Sequence, residues 1–119
     1  KSWKKISTLG KYLKNKWRHL AKKNKLKVKI YGIDAIPKFE IISKDFIIYK
    51  TFITQEMLKH RILANNIVYV STCHTKKIIN KYLNNLDKIF KKIAHTEKNK
   101  LNPKKLLNNY QASEEFKKN

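Results

Sequence analysis

FIIYKTFITQEMLKHRILANNIVYVSTCHT, residues 46–75, is the stretch that decides the fold. Its first four residues, 46–49, are β-branched and aromatic, which predicts extended structure. Residues 51–63 are helical by pattern, because apolar side chains lie close to one stripe and Gln, Glu, Met and Leu favour helix. The β-branched run 67–72 predicts a further strand after a break at two asparagines. Thr75 is then the predicted N-cap of another helix.

The residues before this stretch predict one helix and two strands. Apolar residues spaced three and four apart predict an amphipathic helix from Trp3 to Ala21, with lysines on the opposite face. Gly10 lies in the middle of it and costs about 1 kcal/mol relative to alanine, which a close packing contact would justify. Residues 26–31 alternate apolar and lysine side chains, as in a half-buried strand. Residues 39–43 form a second strand, and a three-residue turn predicts that it pairs as a hairpin with residues 46–49.

The residues after Thr75 predict a long helix and a separate tail. The helix runs to Ala94, with a stripe at Ile78 or Ile79, Tyr82, Leu86, Ile89 or Phe90, and Ile93. Residues 95–100 are polar and predict a loop. Asn102 and Pro103 are a plausible cap and first helical residue, and Leu106, Leu107, Tyr110 and Phe116 are candidates for one apolar face. We interpret residues 95–119 as either a loosely attached helix or a disordered tail.

The order of these elements predicts the fold class. A helix, three or four mainly antiparallel strands with one inserted helix, and a closing helix make an α+β two-layer sandwich with the helices on one face. We expect one domain, residues 1–94, followed by the tail 95–119.

Charge and cysteine content limit the functions to consider. The net charge is +21, and arginine occurs only at Arg18 and Arg61, so nearly all of the positive charge is lysine. Abundant Lys, Ile, Asn and Tyr share A/T-rich codons, so codon bias explains the lysines better than selection for nucleic-acid binding, which favours arginine. A basic nucleic-acid-binding module remains the alternative function. Cys73 stands alone, no run is long enough to span a membrane, and the chain begins at Lys1, so we expect a piece of a soluble, cytoplasmic protein.

The central stretch resembles the C-terminal domain of class III aminotransferases, closest to the glutamate-1-semialdehyde 2,1-aminomutase group. The family pattern is a helix ending in an E-M-L-x-R-G-I-L-like run, a strand, a His-Thr step, and a helix with an L-x-x-x-D-x-x-F-like end. The coverage is about Trp3 to Ala94, including the helix with Gly10 and Leu13 and the strands LKVKIYGIDAIPKFEI. The matching positions are Glu56, Met57, Leu58, Ile62, Leu63, His74, Thr75, Leu83, Asp87 and Phe90.

Two positions depart from the family pattern. Arg61 stands where the family has a glycine that closes the helix, and a left-handed backbone there costs a non-glycine residue about 1 kcal/mol. Thr75 has Ile78 three residues on instead of an acidic residue, and Lys76 and Lys77 oppose the helix dipole. Both changes weaken the fold without altering its topology.

The resemblance implies one part of a pyridoxal phosphate (PLP)-dependent transferase or isomerase. The lysine, aspartate and phosphate-binding turn that hold PLP are expected in a large domain that these residues do not contain. The implied partners are that large PLP-binding domain of the same polypeptide and a second copy of the parent enzyme. We therefore assign no catalytic, cofactor-binding or metal residue and expect the fragment to be inert alone, with no cofactor of its own.

Other residue groups favour structural interpretations. Cys73 and His74 lack the three or four ligands that a metal needs, and His19, His60 and His95 show no ligand spacing. His74 is also a candidate for the interface with the large domain. The acidic residues, Glu114-Glu115 among them, form no pair on a recognised catalytic scaffold. Strand aromatics are a feature of single-stranded nucleic-acid platforms, but core packing explains them better: Tyr31, Phe39, Tyr49 and Tyr69.

Overall fold

A pair of short strands packs against three helices. The computed structural model describes residues 2–62, 66–68, 70–71 and 75–107. The fold class is α+β, as predicted, although the described residues form two strands and not three or four. The elements in chain order are α1 Ser2–Lys23, β1 Val28–Tyr31, β2 Lys38–Ile41, α2 Phe46–Lys59, α3 Lys76–Lys98 and a 3₁₀ helix Pro103–Leu107.

The two strands pair with each other, so the predicted hairpin is wrong. β1 and β2 are antiparallel, with Val28 opposite Ile41 and Tyr31 opposite Lys38. Residues 46–49 are instead the first turn of α2.

The turn before α2 explains why these residues are helical. The Ser43 carbonyl accepts a hydrogen bond from the Phe46 amide at 3.2 Å, and the Asp45 carbonyl accepts one from the Tyr49 amide at 3.1 Å. Tyr49 also continues the buried stripe of α2, which is completed by Phe52, Ile53 and Met57. Burial at helical spacing thus outweighs the strand preference of the Ile-Ile-Tyr run.

The predicted strand 67–72 lies beside β2 but forms only a bridge in the described residues. The amides of Phe39, Val68 and Val70 bond to the carbonyls of Asn66, Pro37 and Ala35. Lys38 and Ile67 form an isolated antiparallel bridge. Pro37 has no N–H to return the bond from Val68, which interrupts the ladder at its centre. Tyr69 and Thr72, which belong to the predicted strand, lie outside the described residues.

The core is centred on Phe39 of β2. Its ring makes edge contacts with Trp17 of α1, at 4.8 Å between centroids, and with Phe90 of α3, at 5.6 Å. All three side chains are fully buried. The Trp17 Nε1–H donates to the Tyr82 hydroxyl at 3.2 Å, which satisfies the indole inside the core. Burial raises the pKa of Tyr82, so this hydroxyl stays neutral. The sheet is therefore attached to both long helices through one side chain.

Helix α3 confirms its predicted cap and stripe. The Thr75 hydroxyl accepts a hydrogen bond from the Ile78 amide at 3.2 Å. The predicted stripe positions are buried, with Ile79 inside and Ile78 half exposed. The predicted loop at 95–100 is wrong, because the helix continues to Lys98.

Contacts on the last turn of α3 explain the extension. Thr96 continues the buried stripe, and the Tyr49 hydroxyl donates to the Glu97 carboxylate at 2.5 Å. After the helix, Pro103 begins the 3₁₀ helix as predicted, and the Asn102 side chain accepts from the Lys104 amide at 3.0 Å. The division into a domain 1–94 and a tail 95–119 stays a prediction, because residues 108–119 lie outside the described residues.

Each of the α-helices in the described residues is followed, two positions after its last residue, by a basic residue with a left-handed backbone. Lys25, Arg61 and Lys100 have φ angles of 58°, 59° and 52°. After each of them the next amide bonds back across the turn, as in Ile62 to the Met57 carbonyl at 2.9 Å. This is the Schellman arrangement, in which glycine is the usual residue. The strained turn predicted at Arg61 is therefore confirmed, and it recurs at the other two helix ends.

No helix within the described ranges is long and apolar enough to cross a membrane.

Replacing Lys25 by glycine should stabilise the protein. The substitution removes a steric cost of about 1 kcal/mol for a left-handed L-residue. Lys22, three residues earlier, is an exposed lysine inside α1 and is the matched control. Lys22→Gly should destabilise by about 1 kcal/mol. Urea unfolding of both variants measures the two effects, and a loss of stability in both would contradict the strain at Lys25.

Candidate docking site

The connection between β1 and β2 lies directly against α1, and both glycines of the chain are at this contact. A Cβ on Gly10 would overlap the backbone carbonyl of Asp34. Gly32 has φ +87°, and a Cβ there would overlap the Ile36 carbonyl. The close contact expected at Gly10 is therefore present, and its partner is the β1–β2 connection.

The Asp34 carboxylate fixes this connection to α1. The Ser7 hydroxyl donates to Asp34 Oδ2 at 3.1 Å, and Lys14 Nζ donates to Asp34 Oδ1 at 3.2 Å. Lys14 also donates to the Gly32 carbonyl at 2.5 Å. Ser7 and Lys14 are two helical turns apart and so lie on one face of α1.

Electrostatics strengthen this attachment. The side chains of Lys14 and Asp34 are 16% and 26% exposed, so water screens the pair only in part. Burial raises the pKa of Asp34. Hydrogen bonds from Lys14 and Ser7 lower this pKa by more, so it lies below its ordinary value. The carboxylate is thus ionised at neutral pH and holds the connection in one position.

An open cleft of about 360 Å³ adjoins the attachment. Trp3 and Ile33 stand at its edge with 70% and 63% of their surface exposed. Ile6 and Ala35 supply the rest of its apolar lining. We call these four residues the Trp3–Ile33 surface. Large apolar side chains exposed on a rigid support are typical of an interaction surface.

Most of the described residues that carry the family resemblance have structural roles, whereas Leu58 is 50% exposed. Met57, Leu83 and Phe90 are buried in the core, and Thr75 caps α3. Asp87 accepts from Asn24 at 2.9 Å and pairs with Lys23 and Lys91, at 3.1 and 3.3 Å. Burial raises the pKa of Asp87, but these hydrogen bonds lower it below its ordinary value.

Glu56 has a similar role. It pairs with Lys59 on α2 and with Lys92 on α3 and so links the two helices. Apart from Leu58, the described motif residues therefore specify the packing of the fold.

The other candidate residues are spread over the molecule. Cys73, His74, Leu63 and Glu114-Glu115 lie outside the described residues. His19, His60 and His95 are exposed, and the described part of the chain holds no group of three potential metal ligands. Of the aromatic residues considered for nucleic-acid binding, Tyr31 lies on β1 and Phe39 on β2, whereas Tyr49 lies in α2 and Tyr69 is outside the described residues. Phe39 and Tyr49 are fully buried, which confirms core packing for these two.

The fold is similar to one part of a larger chain of known structure. The PLP internal aldimine form of the FumI protein from Sphingopyxis sp. MTA144 is similar to this structure with a TM-score of 0.67. The sequence identity is 17%, and the match covers 86% of this chain but 25% of the FumI chain. This chain thus spans about a quarter of that protein. No protein-family model matches the sequence, and no curated protein matches it closely enough to count as a relative.

The cleft at the Trp3–Ile33 surface does not fit PLP as a resident cofactor. The lysine in the cleft is Lys14, and its ammonium group is engaged by the Asp34 carboxylate and the Gly32 carbonyl. A lysine that bonds covalently to PLP must instead present a free amine to the carbonyl of the cofactor. The cleft walls are also largely apolar, so a phosphate group would have few donors there.

Sequence reasoning missed the role of Asp34 and of the Trp3–Ile33 surface. Asp34 lies 27 residues from Ser7 and 20 from Lys14, so no local spacing connects them. The available signal was the glycine content. Only two glycines occur in 119 residues: Gly10 allows the approach of α1 to the β1–β2 connection, and Gly32 allows a close approach to Ile36 within that connection.

Replacing Gly10 by alanine should destabilise the protein, in contrast to the usual effect in a helix. Alanine in a helix interior normally gains about 1 kcal/mol over glycine. Here the added Cβ would push against backbone atoms of Asp34, and such overpacking costs about 1–3 kcal/mol. Lys11→Ala, at the exposed neighbouring position, is the matched control and should be near neutral. Thermal unfolding measures both, and a Gly10→Ala variant more stable than the parent would contradict the contact.

Proposed function

We propose that this chain is the C-terminal small domain of a PLP-dependent aminotransferase or aminomutase of the glutamate-1-semialdehyde aminomutase type. The observation that carries the proposal is the coverage of the structural match. Most of this chain superposes on a quarter of the PLP-bound FumI chain. The order of the sequence motifs at Glu56–Leu58 and at Leu83, Asp87 and Phe90 supports the same group.

In this proposal the chain supplies fold and active-site closure, while another part of the polypeptide holds PLP. PLP supplies the carbanion stabilisation that amino-group transfer needs. The residues of this chain contribute a rigid apolar face at Trp3 and Ile33, held in place by Asp34. This face docks on the large domain and limits the movement of one domain on the other. The parent enzyme acts as a cytoplasmic homodimer.

The proposal predicts that the chain alone does not form a stoichiometric covalent complex with PLP. The physical reason is that Nζ of Lys14, the lysine of the cleft, already bonds to the Asp34 carboxylate and the Gly32 carbonyl. Titration with PLP, followed by the visible absorbance of lysine-bound PLP, is the measurement. Weak labelling spread over many exposed lysines is expected, and mass spectrometry after borohydride reduction distinguishes it from a single modified site.

The same titration on the product of the complete reading frame should give one equivalent of lysine-bound PLP. Ile33→Ser in that product should weaken domain closure and raise the KM for the amino donor. Ile78→Ser, at an isoleucine of similar exposure on α3, is the matched control and should leave the KM unchanged. A single stoichiometric PLP adduct on the chain alone, or a complete product with no adduct, would exclude the proposal.

A second candidate function is nucleic-acid binding, and the surface of α3 favours it. Lys77, Lys81 and Lys88 line a shallow groove together with asparagine side chains. Amide and ammonium groups of this kind are donors for phosphate oxygens. The groove lies on the α3 face that carries no buried stripe, and so it is accessible to a long anionic ligand.

Replacing the three groove lysines should change the salt dependence of binding if this function is real. Each lost phosphate contact lowers the slope of log K against log salt by about 0.9 on duplex DNA. The Lys77→Gln, Lys81→Gln, Lys88→Gln variant should therefore lose about 2–3 units of slope in electrophoretic shift titrations. Glutamine at Lys22, Lys44 and Lys98, which are exposed elsewhere, is the charge-matched control. Equal losses in both variants would show binding by net charge alone.

A further inference from the structure

A second cleft lies between the end of α3 and the 3₁₀ helix. Its volume is about 420 Å³. Leu101 and Leu106 form apolar walls, and 46% of the Leu101 surface is exposed. Lysines surround these walls on the α3 side and on the 3₁₀ helix: Lys91, Lys92 and Lys105. The cleft therefore combines apolar walls with a positively charged rim.

The positive charge of this rim is only partly compensated. Lys91 shares the Asp87 carboxylate with Lys23, and Lys92 shares the Glu56 carboxylate with Lys59. Lys105 has no ion pair with any described residue. An occupant with an apolar side chain next to carboxylates would complement both the apolar walls and the positively charged rim.

The chain itself contains such a segment shortly after the cleft residues in sequence. Residues 108–119 lie outside the described residues, and their sequence NNYQASEEFKKN places Glu114 and Glu115 directly before Phe116. These two glutamates are a quarter of the eight acidic residues of the chain.

The connecting residues after Leu107 are long enough to let the segment reach the cleft and short enough to keep it nearby. The last described residue, Leu107, is buried, and its neighbour Leu106 lines the cleft. Phe116 is nine positions after Leu107, which allows a reach of up to about 30 Å. A tether of this length gives an effective concentration in the millimolar range, so a free peptide of the same sequence would compete poorly.

We propose that the Glu114–Phe116 segment docks in this cleft within the same molecule. Phe116 packs on Leu101 and Leu106, and the two carboxylates lie beside Lys91 and Lys105. The docked segment covers apolar surface that α3 and the 3₁₀ helix leave open. This inference is independent of the proposed enzyme function.

The full-length chain tests the proposal by the NMR signals of its leucine methyl groups. An aromatic ring packed on Leu101 and Leu106 displaces their methyl signals by its ring current. Phe116→Ala should remove this displacement. Glu114→Gln with Glu115→Gln, or added salt, should reduce it, because screening weakens the ion pairs. The Ile78 methyl signals, at the other end of α3, serve as the internal reference and should not move.

Lys118→Ala is the matched control within the segment and should leave the leucine signals unchanged. Leucine signals that do not respond to Phe116→Ala would overturn the proposal. Signals that depend on protein concentration would also overturn it, because the segment would then dock on a second copy.

Discussion

The position of Phe39 between Trp17 and Phe90 is the contact on which the rest of the structure depends. It connects the strand pair to α1 and to α3, and no other side chain contacts both helices through aromatic rings in the described residues. A fully buried Phe contributes about 3–5 kcal/mol relative to alanine, against a total stability of about 5–15 kcal/mol for a typical domain. With β2 fixed in this way, β1 follows by pairing, and the β1–β2 connection is brought against Gly10.

The sequence predicted α1 and α3 well because both are long and carry lysines opposite one apolar stripe. Helix α2 was harder, since apolar side chains lie on nearly every side of it: Ile47 is 71% exposed, whereas Tyr49 is buried. A short apolar run of this kind has no clear period, and its β-branched residues favoured a strand. Because residues 46–49 were predicted as a strand, they were predicted to pair with residues 39–43. The hairpin error therefore followed from the helix error.

The candidate site was less predictable than the fold, because its contacts connect residues distant in sequence. The family resemblance identified residues such as Asp87 and Thr75, which hold helices in place. It said nothing of Asp34, whose value lies in bridging Ser7, Lys14 and the Gly32 carbonyl. Charged side chains of the two signs also have different roles in this protein. A few carboxylates organise the packing, while the lysine excess leaves most of the surface positive.

The three left-handed helix ends show where this chain accommodates a side chain at a position that favours glycine. Glycine is the usual residue at such a helix end, and a side chain there is accommodated at a modest steric cost. At Lys25, Arg61 and Lys100 that cost is about 1 kcal/mol each. At Gly10 and Gly32, by contrast, a Cβ would collide with backbone atoms. The two glycines thus mark positions where no side chain fits, and both lie in or against the β1–β2 connection, the least adjustable part of the fold.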